Sequence, residues 1–287
     1  MLPPRETGAV FCAAKTRGNR EMVTMSVKGS RAASAREVAA LFASATSEEY
    51  EELARRYRED PRKQVSRALE AAGRRLEREQ AEHDRVLRMY EVQRAIAGGG
   101  VAIGVDEVGR GAIAGPLTVG AVVLPDDPVI WGINDSKQLT PARREVLAAR
   151  IAEVAVAIGI AHIEPSSIDA VGMATALRMA MAQAVEQCGI DPDAVIIDGN
   201  PVHIHPKERT VVKGDATVAC IAAASIVAKV TRDELMVALD DEFPGYHLAA
   251  CKGYASPEHI EAIRERGLSK IHRVSFCGNF LETPRLF

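Results

Sequence analysis

A run of three glycines, Gly98-Gly99-Gly100, divides the sequence into two parts with different patterning. Before it, apolar residues recur at helical spacing, whereas after it short β-branched runs alternate with helical segments. Consecutive glycines end a helix, because glycine loses more conformational freedom than any other residue when it is held in one. The glycine run therefore predicts a domain boundary between an all-helical part and an α/β part.

The N-terminal part predicts a disordered segment followed by three helices. Residues 1–33 lack apolar periodicity and are expected to be disordered, whereas residues 34–97 read as a helical N-terminal extension. Its third helix is expected to run from about Pro61 to Ile96. The helix-start signals are Ser34, the capping box of Thr46 and Glu49, and Asp60-Pro61.

The C-terminal part, residues 98–287, predicts a mixed sheet flanked by helices, which is an α/β domain. The first two strands are expected to form a hairpin, whereas later strands are separated by helices. The predicted strands are Val101–Val105, Leu117–Leu124, Val154–His162, Ala194–Ile197 and Thr210–Val212. One helix is predicted to start at Thr140-Pro141. Three more are predicted over Ser167–Gln187, Thr217–Asp241 and Pro257–Arg266.

Composition excludes several protein classes. Apolar residues make up 47% and charged residues 26% of the 287 residues, which is typical of a globular protein rather than a disordered or fibrous one. No uncharged apolar stretch is long enough to span a membrane, and the N-terminus lacks the order of a signal peptide. The five cysteines form no C-x-x-C pair, so we expect reduced thiols. A cytoplasmic monomer without a membrane partner is predicted.

Charge is distributed unevenly along the chain, although the net charge is only −3. Residues 1–97 carry 19 Lys and Arg against 15 Asp and Glu, net +4, and the remainder carries 17 against 24, net −7. A basic appendage on an acidic body suits an enzyme that binds cations with its carboxylates and a polyanion with the appendage. The alternative is a solvated helical segment without a binding role.

Acidic residues follow three of the predicted strands. Asp106 and Glu107 end the first strand, Asp198 ends the fourth, and Asp215 closely follows the fifth. Because sites in open α/β sheets form at the carboxyl ends of strands, we expect these four carboxylates to lie together. Crowded carboxylates favour a hard divalent cation such as Mg²⁺ or Mn²⁺, and two such ions support phosphodiester cleavage. The alternative is that each acid only caps a helix or turn.

A glycine-rich loop directly follows the first acidic pair. In Gly109-Arg110-Gly111, the glycines allow the backbone to approach a ligand closely, and arginine suits contact with phosphate. Alone, the tripeptide is typical of many turns. Beside Asp106-Glu107 it indicates a substrate-binding loop.

These motifs resemble the signature of type 2 ribonucleases H, the bacterial ribonuclease HII family. The resemblance covers about Val101 to Phe276, and the helical segment 34–97 resembles the N-terminal extension of longer members. The matching blocks occur in the family's order. They are Asp106–Gly111 with Ala114-Gly115-Pro116, Asp135-Ser136-Lys137, Asp198-Gly199, Lys213-Gly214-Asp215, Ala224-Ser225 with Ala228-Lys229 and Arg232-Asp233, Lys252-Gly253-Tyr254 with His259, and His272-Arg273 with Ser275-Phe276.

The resemblance implies an RNase H-like mixed five-stranded sheet preceded by a small all-α domain. It implies an endonuclease that hydrolyses the RNA strand of RNA·DNA hybrids and incises 5′ to ribonucleotides embedded in duplex DNA. The products would carry 5′-phosphate and 3′-hydroxyl ends, as in ribonucleotide excision repair and DNA replication. Two Mg²⁺ or Mn²⁺ ions would be held by the catalytic acids, which match Asp106, Glu107, Asp198 and Asp215.

The resemblance also implies substrate-binding residues. The backbone of Gly109, Arg110 and Gly111 would read the 2′-hydroxyl that distinguishes RNA from DNA, and Tyr254 would pack on the following deoxyribose. The expected phosphate contacts are Ser136, Lys137, Lys229 and Arg232. An ordinary turn at Ser136-Lys137, a surface ion pair at Lys229 and a core role for Tyr254 remain the alternatives.

Three other functions compete with this interpretation. A type III ribonuclease H would cleave longer hybrids but not single ribonucleotides. A catalytically silent hybrid-binding protein is disfavoured because all four acids are present. A phosphoacceptor receiver domain, a signalling module, would also place acids at strand ends, but it would leave the matching blocks unexplained.

Overall fold

The computed structural model describes residues 33–281. The expected disorder of residues 1–33 therefore falls, apart from Ala33, outside the described part of the chain. Three helices come first: α1, Ala35–Ser44; α2, Ser47–Tyr57; and α3, Lys63–Ile96. No helix in residues 33–281 is both long enough and apolar enough to cross a membrane.

The chain divides into two compact units between Arg74 and Arg75, within α3. The predicted boundary at Gly98 remains a prediction about domain organisation. The second half of α3 belongs to the unit that contains the sheet, because Tyr90 is buried there and its hydroxyl accepts a hydrogen bond from the Ile130 N–H, 3.1 Å away. Gln93 Oε1 likewise accepts from the Cys220 N–H at 2.8 Å.

The first unit is built from capped helices around an aromatic cluster. Capping boxes at Ser34 and at Thr46 start α1 and α2, as the sequence predicts for the second. Phe42 is fully buried and packs edge-on against Tyr50, with ring centres 6.1 Å apart. The third helix begins later than predicted, because Asp60 accepts hydrogen bonds from the backbone and guanidinium of Arg62 instead of capping the helix at Pro61.

The second unit contains a mixed five-stranded sheet in the order β3-β2-β1-β4-β5, which confirms the predicted fold class. The three strands β3, β2 and β1 are antiparallel, and β4 and β5 run parallel to β1. The strands are β1, Ala102–Val108; β2, Leu117–Val123; β3, Ala157–Ile163; β4, Ala194–Asp198; and β5, Glu208–Val211. The helices are α4, Pro141–Val154; α5, Pro165–Val171; α6, Met173–Gln187; α7, Gly214–Thr217; α8, Ala219–Glu242; α9, Leu248–Cys251; α10, Pro257–Arg266; and α11, Val274–Leu281; a 3₁₀ turn covers Ser136–Gln138.

Helices cover both faces of the sheet. One face packs against α4, α8 and the second half of α3, and the other packs against α5 and α6. Helix α8 lies unusually close to the sheet, because a Cβ added to Gly104 would be 2.2 Å from the backbone carbon of Cys220. A Cβ on Gly120 would be 2.6 Å from the carbonyl oxygen of Ala224. Glycine on the strands and alanine on the helix therefore permit this approach.

Two predicted elements differ from the structure. The helix expected over Ser167–Gln187 is two helices, because Gly172 adopts a left-handed φ of +78° that ends α5 and precedes α6. The third strand begins at Ala157 rather than at Val154, which instead ends α4. The first difference thus has a local cause at Gly172, and the second arises because α4 extends through Val154.

Candidate active site

The sheet brings the first and fourth strands' acids together. Strands β1 and β4 are parallel neighbours in which Val105 pairs with Ile197, so Asp106 and Asp198 follow side by side at the carboxyl ends. Glu107 is the next residue of β1. Asp106 and Asp198 are therefore neighbours, and Glu107 lies near enough to them that the Asp198 charge adds to the effect of burial in raising the pKa of Glu107.

Asp215 reaches the same edge from a short helix rather than from a strand end. Lys213 adopts a left-handed conformation, with φ of +58°, which turns the chain after β5 into α7. The Gly214 N–H then donates to Asp198 Oδ1 at 2.7 Å. This hydrogen bond connects the start of α7, which carries Asp215, to the end of β4.

Burial and neighbouring charges raise the pKa of three of the acids, Asp106, Glu107 and Asp215. Burial raises the pKa of Asp106 to about 8, with Glu107 and Asp198 adding to the rise, although a hydrogen bond from Ser225 opposes it. Burial also raises the pKa of Glu107 against the opposing effect of Arg110, and burial raises the pKa of Asp215. A cation at this edge would relieve the repulsion.

The negative charges of these and neighbouring acids affect the pKa of Lys137. Burial by itself lowers the pKa of Lys137, but nearby acids, Asp135 first among them, raise it above its usual value. The Ser136 hydroxyl lies 2.9 Å from the hydroxyl of Ser225 on α8, which holds the 3₁₀ turn beside Asp106. The Ser136-Lys137 turn therefore borders the acids, as a phosphate-contact loop would.

The donor set fits a hard divalent cation. It consists of carboxylate oxygens, which Mg²⁺ and Mn²⁺ prefer over sulfur or nitrogen ligands. Within residues 33–281, no group of three or more His, Cys, Asp or Glu side chains could hold a metal ion as it stands. Mg²⁺ is commonly bound by only one or two carboxylates together with water and substrate phosphates, so an incomplete protein shell is compatible with this chemistry.

The Gly109–Gly111 loop directly follows Asp106 and Glu107, and the buried side chain of Arg232 packs against its inner side. Gly109 has a left-handed φ of +81°, and a Cβ there would lie 2.2 Å from Nε of Arg232. Arg110 and Gly111 are exposed, and Arg110 forms an ion pair with Glu107 at 3.5 Å. The loop therefore presents its second and third residues to solvent at the edge of the acidic cluster.

The structure separates the expected phosphate ligands on α8. Lys229 pairs with Asp233 at 2.7 Å, so the ion pair expected as the alternative forms. Arg232 differs from the expectation, because it is fully buried and donates to the carbonyl oxygens of Pro116, Lys252 and Ala114. Its guanidinium cannot reach a phosphate from this position, since these carbonyls and the surrounding loops enclose it.

Tyr254 is available to a ligand. It is 37% exposed, and the Arg232 guanidinium lies 5.6 Å from its ring centre. Tyr254 is therefore not fully buried, and its role at the substrate stays a prediction beside the half-buried structural alternative. Arg232 therefore contacts the Tyr254 ring from the protein interior and is not a neighbouring surface residue.

A pair of buried histidines, which the sequence did not mark as functional, anchors the Tyr254 loop. The Ser269 N–H donates to His272 Nδ1 at 3.0 Å, which leaves the proton of His272 on Nε2. That Nε2 lies 3.1 Å from His259 Nε2, and His259 Nδ1 lies 2.9 Å from the carbonyl oxygen of Tyr254. Each donor in this series finds an acceptor when Ser269 donates to His272, His272 donates to His259 and His259 donates to the carbonyl oxygen of Tyr254.

Arg273 was also missed as a functional residue. It is fully buried and donates to carbonyl oxygens of the Gly109–Gly111 loop and of Gly115. The residue types alone do not mark it, because an arginine destined for the interior has the same side chain as one on the surface. Its place in a matching motif was the only available indication.

Acids at the ends of β1 and β4 in a sheet of this order, next to exposed loops, define an RNase H-like nuclease. Comparison with known proteins gives the family. The ribonuclease HII model matches residues 103–279, and the model of the ribonuclease HII N-terminal domain matches residues 34–97. The chain therefore belongs to the ribonuclease HII family, whose members are endoribonucleases.

Individual relatives agree with this assignment. The ribonuclease HII of Listeria monocytogenes serotype 4b (strain F2365) is 41% identical over 231 residues, covering 80% of this chain and 88% of the relative. The ribonuclease HII of Solibacter usitatus (strain Ellin6076) is 50% identical over 173 residues, covering 60% and 76%. The crystal structure of ribonuclease H2 from Pyrococcus horikoshii OT3 superposes with a TM-score of 0.53 at 27% identity, covering 61% of this chain and 93% of that one.

Proposed function

We propose that this enzyme incises duplex DNA 5′ to an embedded ribonucleotide and also hydrolyses the RNA strand of RNA·DNA hybrids. The observation that carries the proposal is the position of the acidic cluster. Asp106, Glu107 and Asp198 share one sheet edge with the exposed Gly109–Gly111 loop, so a carboxylate site for phosphodiester cleavage adjoins a backbone suited to sensing a sugar hydroxyl. Products with 5′-phosphate and 3′-hydroxyl ends follow from cleavage of the P–O3′ bond.

The acids are proposed to act through divalent cations. Two Mg²⁺ or Mn²⁺ ions would activate the attacking water and neutralise the leaving 3′-oxygen. Asp106, Glu107 and Asp198 are the proposed principal ligands, and Asp215 completes the set. Ser225, whose proximity opposes the rise in the pKa of Asp106, is proposed to orient that buried carboxyl group.

Substrate binding is assigned to the loops around the acids. Lys137, which is exposed, is proposed to meet a phosphate, and Lys229 would do so on leaving its partner Asp233. Ser136 is buried with its hydroxyl 2.9 Å from that of Ser225, so its proposed part in phosphate binding is to hold the turn that carries Lys137. Tyr254 offers an exposed ring for a deoxyribose next to the ribonucleotide. Arg232, by contrast, is proposed to position Tyr254 and the neighbouring loop rather than to touch the substrate.

The cellular setting is part of the same proposal. We propose a cytoplasmic monomer that serves ribonucleotide excision repair and DNA replication, with RNA·DNA hybrids and ribonucleotide-containing duplex DNA as its nucleic-acid partners. A type III ribonuclease H activity is the second candidate, and it would cut long hybrids only. The match to the ribonuclease HII model over residues 103–279 favours the first.

The deciding experiment maps a cut on defined duplexes. The protein is incubated with Mg²⁺ or Mn²⁺ and a DNA duplex that contains one ribonucleotide, beside an RNA·DNA hybrid of equal length. Incision directly 5′ to the ribonucleotide is expected, and Asp106→Asn should abolish it while Glu153→Gln, in an exposed ion pair elsewhere, should not. Cleavage of the hybrid alone would favour the type III activity and overturn the proposed function.

A further inference from the structure

Arg273 directs all its hydrogen bonds to one segment of the chain. Nη1 donates to the carbonyl oxygens of Gly109 and Arg110, at 2.7 and 3.1 Å, and Nε and Nη2 donate to that of Gly115, at 3.1 and 2.9 Å. An isolated bridge between Ala114 and His272 brings the arginine to this place. No carboxylate among residues 33–281 forms an ion pair with it within 4.0 Å. Its charge is therefore balanced mainly by loop carbonyls.

This arrangement fixes which side of the loop carries its N–H groups. In a trans peptide, the C=O of one residue and the N–H of the next point in opposite directions. Because the carbonyls of Gly109 and Arg110 point inward to Arg273, the N–H groups of Arg110 and Gly111 point outward. In the part of the chain that the structure describes, neither N–H donates a hydrogen bond, and a Cβ on Gly111 would meet nothing within 4 Å.

Glycine makes such a fixing contact necessary. Gly109 and Gly111 flank peptides that are free to adopt more than one orientation, because glycine lacks the Cβ that restricts other residues. A flipped peptide would present a carbonyl oxygen to the substrate in place of an N–H. The buried guanidinium selects one orientation, and its positive charge behind the loop strengthens the outward donors.

We propose that Arg273 is a positioning residue that holds the N–H groups of Arg110 and Gly111 toward the 2′-oxygen of the ribonucleotide. The inference rests on the proposed function, since it requires that this loop meets the sugar. Burial, with Arg232 nearby, lowers the pKa of Arg273 to about 10, so the guanidinium is still charged at neutral pH. Arg273 therefore contributes to RNA-against-DNA discrimination without touching the substrate.

The test measures discrimination in binding and does not depend on cleavage. Dissociation constants are measured in chelator-containing buffer for two duplexes that differ by a single ribonucleotide. For Arg273→Gln, the preference for the ribonucleotide duplex should fall at least about fivefold, the effect of losing one hydrogen bond of ordinary strength. Arg273→Lys, which keeps the charge but cannot span Gly109 and Gly115 together, should fall between wild type and Arg273→Gln.

Arg144→Gln is the matched control. Arg144 also donates to two loop carbonyls, those of Ser136 and Leu139, at 2.8 and 2.7 Å. Its loss should weaken binding of both duplexes alike and preserve their ratio. A ratio that changes no more in Arg273→Gln than in Arg144→Gln would overturn the inference.

Measurements on the wild-type protein cover the case in which Arg273→Gln does not fold. The amide hydrogens of Arg110 and Gly111 should exchange rapidly in the free protein and more slowly with the ribonucleotide duplex than with the all-DNA duplex. Equal exchange with both duplexes, together with an unaltered ratio in Arg273→Lys, would refute the role of Arg273. If the wild-type protein does not prefer the ribonucleotide duplex at all, the proposed function itself fails.

Discussion

Replacing Asp106 with asparagine is expected to stabilise the metal-free protein while abolishing catalysis. In the folded, metal-free state burial raises the pKa of Asp106 from 3.8 to about 8. Ionisation of Asp106 therefore costs free energy in the folded protein, whereas in the unfolded protein the carboxyl group ionises with its ordinary pKa. Asparagine keeps the shape of the side chain and has no charge to bury, so it avoids this cost.

The size of the effect depends on pH in a definite direction. A group whose pKa is higher in the folded state contributes full stability below its unfolded pKa and loses it as the pH rises toward the folded value. The wild-type free energy of unfolding should thus fall by about 1.4 kcal/mol for each pH unit between roughly 5 and 7, relative to Asp106→Asn. Above about pH 8 the difference between the two proteins should become constant.

The measurement is urea unfolding of both proteins in chelator at pH 5, 6 and 7, with the free energies compared at each pH. Asp169→Asn is the control of opposite sign, because hydrogen bonds from Ser275 and Val274 outweigh burial and lower the pKa of Asp169. Asp169→Asn should lose stability at pH 7. A difference between wild type and Asp106→Asn that does not change with pH would refute the assignment of a buried, repelled carboxylate.

Three further outcomes are expected. Tyr254→Ala should reduce incision at a single ribonucleotide several-fold more than cleavage of a long hybrid, and equal losses would contradict its role at the RNA-to-DNA junction. His259→Phe removes the donor to the Tyr254 carbonyl and should shift the same activity ratio, whereas His259→Asn, whose amide replaces Nδ1–H, should restore it toward wild type; identical ratios would show that the histidines only stabilise the fold. A chain that begins at Arg75 should unfold cooperatively on heating, but one that begins at Gly98 should be several kcal/mol less stable, because it lacks Val86, Met89 and Tyr90 from the core; equal melting temperatures would contradict this.

The acids and the sheet were predictable because their signals are local. Asp106 and Asp198 each end a short apolar run, and that pattern places them at strand ends before any pairing is known. The order of the motifs then identified the family, which the comparisons confirm. Local pattern also predicted the hairpin of β1 and β2, whereas the places of the remaining strands in the sheet were not predicted.

The buried positioning groups were not predictable from local pattern. Arg232 lies three residues after Lys229 on α8, and helical spacing alone suggests a shared exposed face. The structure buries Arg232 because the loops at Ala114 and Lys252 fold over it, and those contacts join residues 118 and 20 positions apart. Similarly, the donation from His272 to His259 depends on tertiary packing that no short sequence window contains.

The close approach of α8 to the sheet has a consequence for how the enzyme must accommodate nucleic acid. With backbone nearly touching backbone at Gly104 and Gly120, sliding of that helix across the strands would meet immediate steric collision. Ser225 on α8 and Asp106 on β1 are therefore held in a fixed relative position. If Asp106 acts as proposed, we expect any adjustment to a bound duplex to occur in the peripheral turns, where substrate selectivity can change without displacing this residue.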